Sequence, residues 1–211
     1  PSEWLISLKN LGLKLNEELF VDPEVCVIAV KPQTIESLLS QSSFLRTQNT
    51  LFVSIAAGIN IKKLNELLGS GSAIIRAMPN TPVSIRKGVS CLIQNNNTSG
   101  EQMKLVEKLF SAVGKTIWLS NEKDMDAVTA ISGSGPAYVF YLIEAMAKAA
   151  IDLGLDSELA NRLAVLTVSG AGSLAETSKI PVDVLRENVT SPNGTTEAAL
   201  NVLVEPNHGL C

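Results

Sequence analysis

The 211 residues are 45% hydrophobic but only 4% aromatic, and their formal net charge is -4. That allows a real core built from Leu, Ile, Val and Ala, in one large or two small domains. The acidic balance offers no basic footprint for nucleic acid, and no apolar run reaches the length of a membrane span, so neither is expected as a partner. Cys26, Cys91 and Cys211 are odd in number and irregularly spaced, which points to reduced thiols in an intracellular protein. The single histidine, His208, leaves no material for a His-based metal site or a Ser-His-Asp triad, and no metal is expected.

Taken in order, residues 2–11 read as a helix, with Trp4, Leu5, Leu8 and Leu11 on one face and Gly12 as its stop. Val25-Cys26-Val27-Ile28-Ala29-Val30 is a continuous apolar run ending at Lys31-Pro32. Such runs suit parallel strands buried on both faces. A helix over residues 34–45 follows. The alternation repeats: a strand over 51–57 broken by Gly58, then a helix that Asn60 can cap. Strands over 73–77 and 88–93 come next, separated by Met78-Pro79-Asn80-Thr81-Pro82. Ser99 and Gln102 have the spacing of a capping box opening a further helix. Gly114 ends that helix, and residues 115–119 give a last short strand. This order predicts an α/β domain with a mainly parallel sheet over residues 1–120.

An all-helical domain is expected over residues 121–211. Ile131-Ser132-Gly133-Ser134-Gly135-Pro136 reads as a Gly/Ser loop running into a helix, with Pro136 in its first turn. Asp156 or Ser157 can cap the next helix. The later part of that helix, Ser169-Gly170-Ala171-Gly172-Ser173, is unusually small, which suits close approach of another backbone within the chain or across subunits. Pro181 opens a short helix to about residue 188. Ser191-Pro192-Asn193-Gly194 is then turn chemistry, and Thr195 or Thr196 can cap a final helix. A helix start with free N–H groups and nearby hydroxyls suits a small carboxylate, though the same pattern serves an ordinary capped connection.

In open parallel sheets, ligands lie beyond the carboxyl ends of the strands. Here those ends are Ala29-Val30-Lys31-Pro32, Ala56-Ala57-Gly58 and Met78-Pro79-Asn80. They can admit an extended cofactor close to backbone, or simply make tight strand-to-helix turns.

Five stretches carry a resemblance. These are Val27-Ile28-Ala29-Val30-Lys31-Pro32-Gln33, Ser54-Ile55-Ala56-Ala57-Gly58, Arg76-Ala77-Met78-Pro79-Asn80-Thr81-Pro82, Ala130-Ile131-Ser132-Gly133-Ser134-Gly135-Pro136-Ala137-Tyr138 and Val189-Thr190-Ser191-Pro192-Asn193-Gly194-Thr195-Thr196. In order and spacing they resemble the successive signatures of the pyrroline-5-carboxylate reductase family. The resemblance implies a Rossmann-like domain, a helical domain that interlocks subunits into a homodimer and a larger homo-oligomer, and reduction of 1-pyrroline-5-carboxylate to L-proline with NADPH or NADH. It assigns cofactor contacts to Asn16, Ala29, Val30, Lys31, Pro32, Ala56 and Ala57. It assigns substrate contacts to Glu122, Asn188, Ser191, Gly194, Thr195 and Thr196, and the Ser132–Pro136 stretch is expected to support the same pocket. Thr196 is expected to serve catalysis as the partner of the ring nitrogen, and no conventional catalytic base is expected. An intracellular location, cytoplasmic or mitochondrial, is expected.

The family begins with a strand and a Gly-rich phosphate turn, and these 211 residues contain no such turn. The chain is therefore expected to be truncated at both ends, lacking one strand and a closing helix, with little activity of its own. Asn193 stands where many family members have Gly. Two other readings follow from the residues: a non-catalytic isoform that co-assembles with full-length subunits, and a 3-hydroxyacid dehydrogenase-type oxidoreductase using Lys148.

Overall fold

The apolar runs form strands because burial on both faces leaves only ladder partners for their backbone groups. In the computed structural model, which describes residue 8 and residues 23–41 and 49–205, these are β1 (Val25–Ile28), β2 (Leu51–Ser54), β3 (Ala73–Pro79), β4 (Gly88–Gln94) and β5 (Gly114–Trp118). They make one sheet in the order β1-β2-β3-β4-β5. The pairings β1·β2, β2·β3 and β4·β5 are parallel, and β3·β4 is antiparallel. The mainly parallel expectation holds, with one reversal that has a physical cause. Pro79 and Gly88 are joined by a tight connection containing the 3-10 turn Thr81–Ile85. A parallel crossover needs a dozen or more residues, so the chain folds straight back.

Helices cover both faces. One face carries α1 (Ile35–Gln41) and α2 (Ile61–Leu68), and Ile35, Leu39, Leu64 and Leu68 pack with Ile28, Phe52 and Ile74. On the other face α3 (Gly100–Ser111) brings Val106 to Leu51, Val53, Ile75, Ala77 and Leu92. The expected caps form. Asn60 Oδ1 accepts from the N–H of Lys63 at 2.8 Å. Ser99 Oγ accepts from the N–H of Gln102, whose Oε1 accepts from the N–H of Ser99.

The Ser132–Pro136 stretch corrects the sequence reading. It is not a loop. A 3-10 turn (Glu122–Asp124), α4 (Met125–Val128) and a π-turn (Thr129–Gly133) lead into α5 (Gly135–Asp152). The π-turn is closed by the N–H of Ser134 on the carbonyl of Thr129 at 2.9 Å. A π-turn displaces carbonyls from the regular ladder. Here Asn80 Nδ2 donates to the Ser132 carbonyl at 3.2 Å, while Asn80 Oδ1 accepts from the N–H of Val89. Gly133 packs against the end of Met78, whose Cε would lie 2.7 Å from a Cβ there and would have to shift to admit one.

The chain divides into two compact units, Pro1–Pro136 and Ala137–Cys211, with the division inside α5. The second unit holds the rest of α5, α6 (Ser157–Thr177), α7 (Val182–Asn188) and α8 (Thr195–Leu203). Asp156 caps α6, its Oδ1 accepting from the N–H groups of Glu158 and Leu159 at 3.0 Å each. This unit buries little of its own apolar surface: Tyr141 is 72% exposed and Leu153 87%. A Cβ on Gly170 or Gly172 would meet nothing within 4 Å, so among the described residues no other backbone makes the close approach that these glycines suggest.

Candidate functional site

The first unit gathers the strand-end residues. β1 and β2 run side by side in register, with Ile28 opposite Ser54. The N–H of Ile55 donates to the carbonyl of Ile28 at 3.1 Å, so the two loops leave the sheet next to each other. The structure thus brings Ala29, Val30, Lys31 and Pro32 together with Ala56 and Ala57. Ala29, Lys31 and Ala57 are exposed, whereas the methyl of Ala56 lies in the core. Ala56 therefore has its backbone to offer, not its side chain. The turn Pro32–Thr34 holds the first loop, with the N–H and hydroxyl of Thr34 both on the Lys31 carbonyl at 2.9 Å. In the second loop Gly58 adopts φ 75, and a Cβ there would meet open space. Small residues, open backbone and one exposed cation fit an extended, anionic dinucleotide. Asn16 lies outside the described residues.

Glu122 also belongs to this unit, and it is not the plain surface acid that its position in the sequence suggests. Its Oε1 accepts from the N–H of Ile61, the first residue of α2, at 2.7 Å, and from Arg76 Nη1 at 3.1 Å. Arg76 lies inside β3 with its side chain 4% exposed; that of Glu122 is 29% exposed. A buried cation is costly unless paired, and stranding one partner of such a pair typically costs about 3–5 kcal/mol. In the sequence Arg76 stands within the Arg76–Pro82 motif with no role attached to it. The available signal was a lone charge in a run of core residues, Ile74-Ile75-Arg76-Ala77. A cavity of about 220 Å³ lies beside the pair, lined by Gly58, Asn60, Arg76, Glu122, Lys123 and Asp126.

The second unit brings together Asn188, Ser191, Gly194, Thr195 and Thr196 at the connection from α7 to α8. Here too the structure corrects the expectation. Neither threonine caps α8; Gly194 is the N-cap, and Thr195 and Thr196 occupy the first two helical positions. The turn explains why. The N–H of Gly194 donates to the Ser191 carbonyl at 3.0 Å, and a Cβ on Gly194 would lie 2.5 Å from Ser191 Oγ. A side chain at position 194 would force Ser191 to give way. Asn193 sits at φ 60, a left-handed conformation that asparagine tolerates. Glu197 Oε2 accepts from the N–H of Asn193 at 2.7 Å and locks the turn from inside the helix. The sequence signal for Glu197 is its spacing from Gly194, which is that of a capping-box acid.

No side chain caps this end of α8. The first-turn N–H groups of Thr195, Thr196 and Glu197 therefore remain available to an acceptor, at the positive end of the helix dipole. Thr196 is half-buried and Thr195 exposed. The arrangement can hold a small anion and place one hydroxyl beside it.

Among the described residues no cluster of His, Cys, Asp and Glu could hold a metal ion, and no helix is long and apolar enough to cross a membrane. Burial raises the thiol pKa values of Cys26 and Cys91 above the ordinary value, so both are poor nucleophiles.

Comparison with known proteins gives consistent neighbours. The family described as pyrroline-5-carboxylate reductase dimerisation matches residues 122–209. The chain is 45% identical over 185 residues to the pyrroline-5-carboxylate reductase of Pseudomonas aeruginosa, covering 88% of this chain and 68% of that protein. The solved pyrroline-5-carboxylate reductase of Coxiella burnetii superposes with a TM-score of 0.79 at 41% identity, over 87% of this chain and 68% of that one. The Plasmodium falciparum pyrroline carboxylate reductase, solved with NADP bound, gives 0.78 at 37% identity, over 85% and 68%.

Proposed function

The chain belongs to the pyrroline-5-carboxylate reductase family, and on that footing we propose that its protein reduces 1-pyrroline-5-carboxylate to L-proline. The observation that carries this reading is the uncapped start of α8, where free N–H groups and the Thr196 hydroxyl adjoin. The substrate is a small ring bearing a carboxylate and an imine nitrogen, and this helix start offers something to each.

The backbone N–H groups of Thr195 and Thr196, with the Gly194 turn behind them, hold the carboxylate by charge-assisted hydrogen bonds. The Thr196 hydroxyl is the partner of the ring nitrogen. Asn188 and Ser191 flank the carboxylate, and Glu122 is a further substrate contact. Ala29, Val30, Lys31, Pro32 and the backbone of Ala56 and Ala57 hold the dinucleotide, NADPH or NADH. That cofactor, when bound, supplies the hydride. A protonated imine is already electrophilic, so the chain needs no strong base. Its residues orient two reactants and exclude water, which can supply roughly 7–11 kcal/mol of the barrier reduction at best.

The exposed apolar faces of α5 and α6, together with the dimerisation match, support a homo-oligomer. We extend this to a homodimer that assembles further, with residue 120/121 as the functional domain boundary and a cytoplasmic or mitochondrial location. The 3-hydroxyacid alternative has no support: Lys148 is simply exposed on α5. The non-catalytic alternative gains none either. The test is NADPH consumption by the protein that carries these residues, with pyrroline-5-carboxylate or 3-hydroxy acids offered as substrate in parallel. Consumption only with the cyclic imine is expected, and activity only with a hydroxy acid would overturn the reading.

A further inference from the structure

We propose that Arg76 is a positioning residue for the substrate site, acting through Glu122; this rests on the reading that Glu122 touches the substrate. Arg76 occupies an interior place in β3 where an aliphatic residue would be ordinary. Its neighbours in register are Ser54 and Ile93, and Ile75 and Ala77 flank it in sequence, all without charge. A guanidinium in such a place needs a partner, and Glu122 is its ion-pair partner among the described residues.

The geometry of the pair carries the argument. One carboxylate oxygen, Glu122 Oε1, takes both the Arg76 guanidinium and the N–H of Ile61. These two donors sit on different elements, the centre of the sheet and the first turn of α2. Two fixed donors on one oxygen set the position and the plane of the carboxylate. The other oxygen, Oε2, takes no hydrogen bond from any described residue and is not among the sealed unpartnered atoms. It is therefore the oxygen left for a ligand. The pair borders the cavity of about 220 Å³ that Gly58 also lines, one residue beyond Ala57. Arg76 thus sets where Glu122 presents its free oxygen, without itself reaching the substrate. Lysine cannot replace it fully, because an ammonium on a flexible stem does not hold a donor at the place where the rigid, planar guanidinium puts Nη1.

The test is a double-mutant cycle in the active protein that carries these residues. Arg76→Lys, which keeps the cation and so avoids a stranded charge, is combined with Glu122→Gln. Arg76→Lys is expected to lower kcat/KM for pyrroline-5-carboxylate about tenfold, with the KM for the nicotinamide cofactor and the melting temperature nearly unchanged. In the Glu122→Gln background the same substitution is expected to have almost no further effect. Additive losses, or a cofactor KM that rises in step with the substrate KM, would overturn the positioning role and leave Arg76 as a strut. A wild-type rate in Glu122→Gln would sink the substrate-contact reading beneath it.

Discussion

Thr196 is half-buried at the second position of α8, and its hydroxyl has no hydrogen-bond partner among the described residues. A hydroxyl so placed costs little to leave free, because water can reach it, and it is ready for a ligand. Thr196→Ala should lower kcat for pyrroline-5-carboxylate by roughly 10- to 100-fold while cofactor binding, read by fluorescence titration, stays the same. An unaltered kcat would remove Thr196 from the chemistry. Thr196 was legible as a candidate from the run Asn193-Gly194-Thr195-Thr196, but its place as a helical residue and not the cap was not. That depended on the hydrogen bond from Gly194 to the Ser191 carbonyl, which no propensity announces. Arg76 was less legible still. Its partner Glu122 is far along the chain, and only the sheet and α2 together bring them within 3.1 Å.

Local signals served well at the level of elements wherever the rule was local. Asn60, the Ser99 and Gln102 pair and Asp156 cap the helices they were expected to cap. Each rests on a side chain reaching a backbone group two or three residues away. Two elements escaped because their cause was distant or subtle. The antiparallel turn from β3 to β4 follows from connection length, not from the composition of either strand. The π-turn before α5 depends on Asn80, which supplies a donor to the Ser132 carbonyl from across the unit. A Gly/Ser composition alone cannot distinguish that from a loop. The α7 to α8 turn makes a test at this scale. Gly194→Ala would push a methyl to within 2.5 Å of Ser191 Oγ and open the return. The expected result is a raised KM for pyrroline-5-carboxylate and a loss of about 1–3 kcal/mol in stability, by urea denaturation. Equal KM and equal stability would mean that the turn tolerates a side chain and does not shape the carboxylate site.

Across the whole molecule, the two units differ in how they are stabilised. The first buries its apolar residues between sheet and helices. The second leaves Phe140, Tyr141, Leu166 and Leu174 more than half exposed. Burying one such side chain contributes about 1.5–3 kcal/mol, so a second copy covering this face would stabilise it strongly. Leu166→Glu should therefore shift the protein toward smaller species in light scattering, and an unchanged mass would exclude α6 from the interface. The alternation of strands and helices made the α/β half readable in advance. Which surface of the helical half faces a partner is a property of the assembly, and the sequence shows it only as small residues on α6. The most direct measurement of the account follows the hydride itself. The protein that carries these residues is given pyrroline-5-carboxylate and NADPH deuterated at the transferable position, and the product is read by mass spectrometry and NMR. L-proline with deuterium on the former imine carbon is predicted. Proline without deuterium, or no proline at all, would contradict the account.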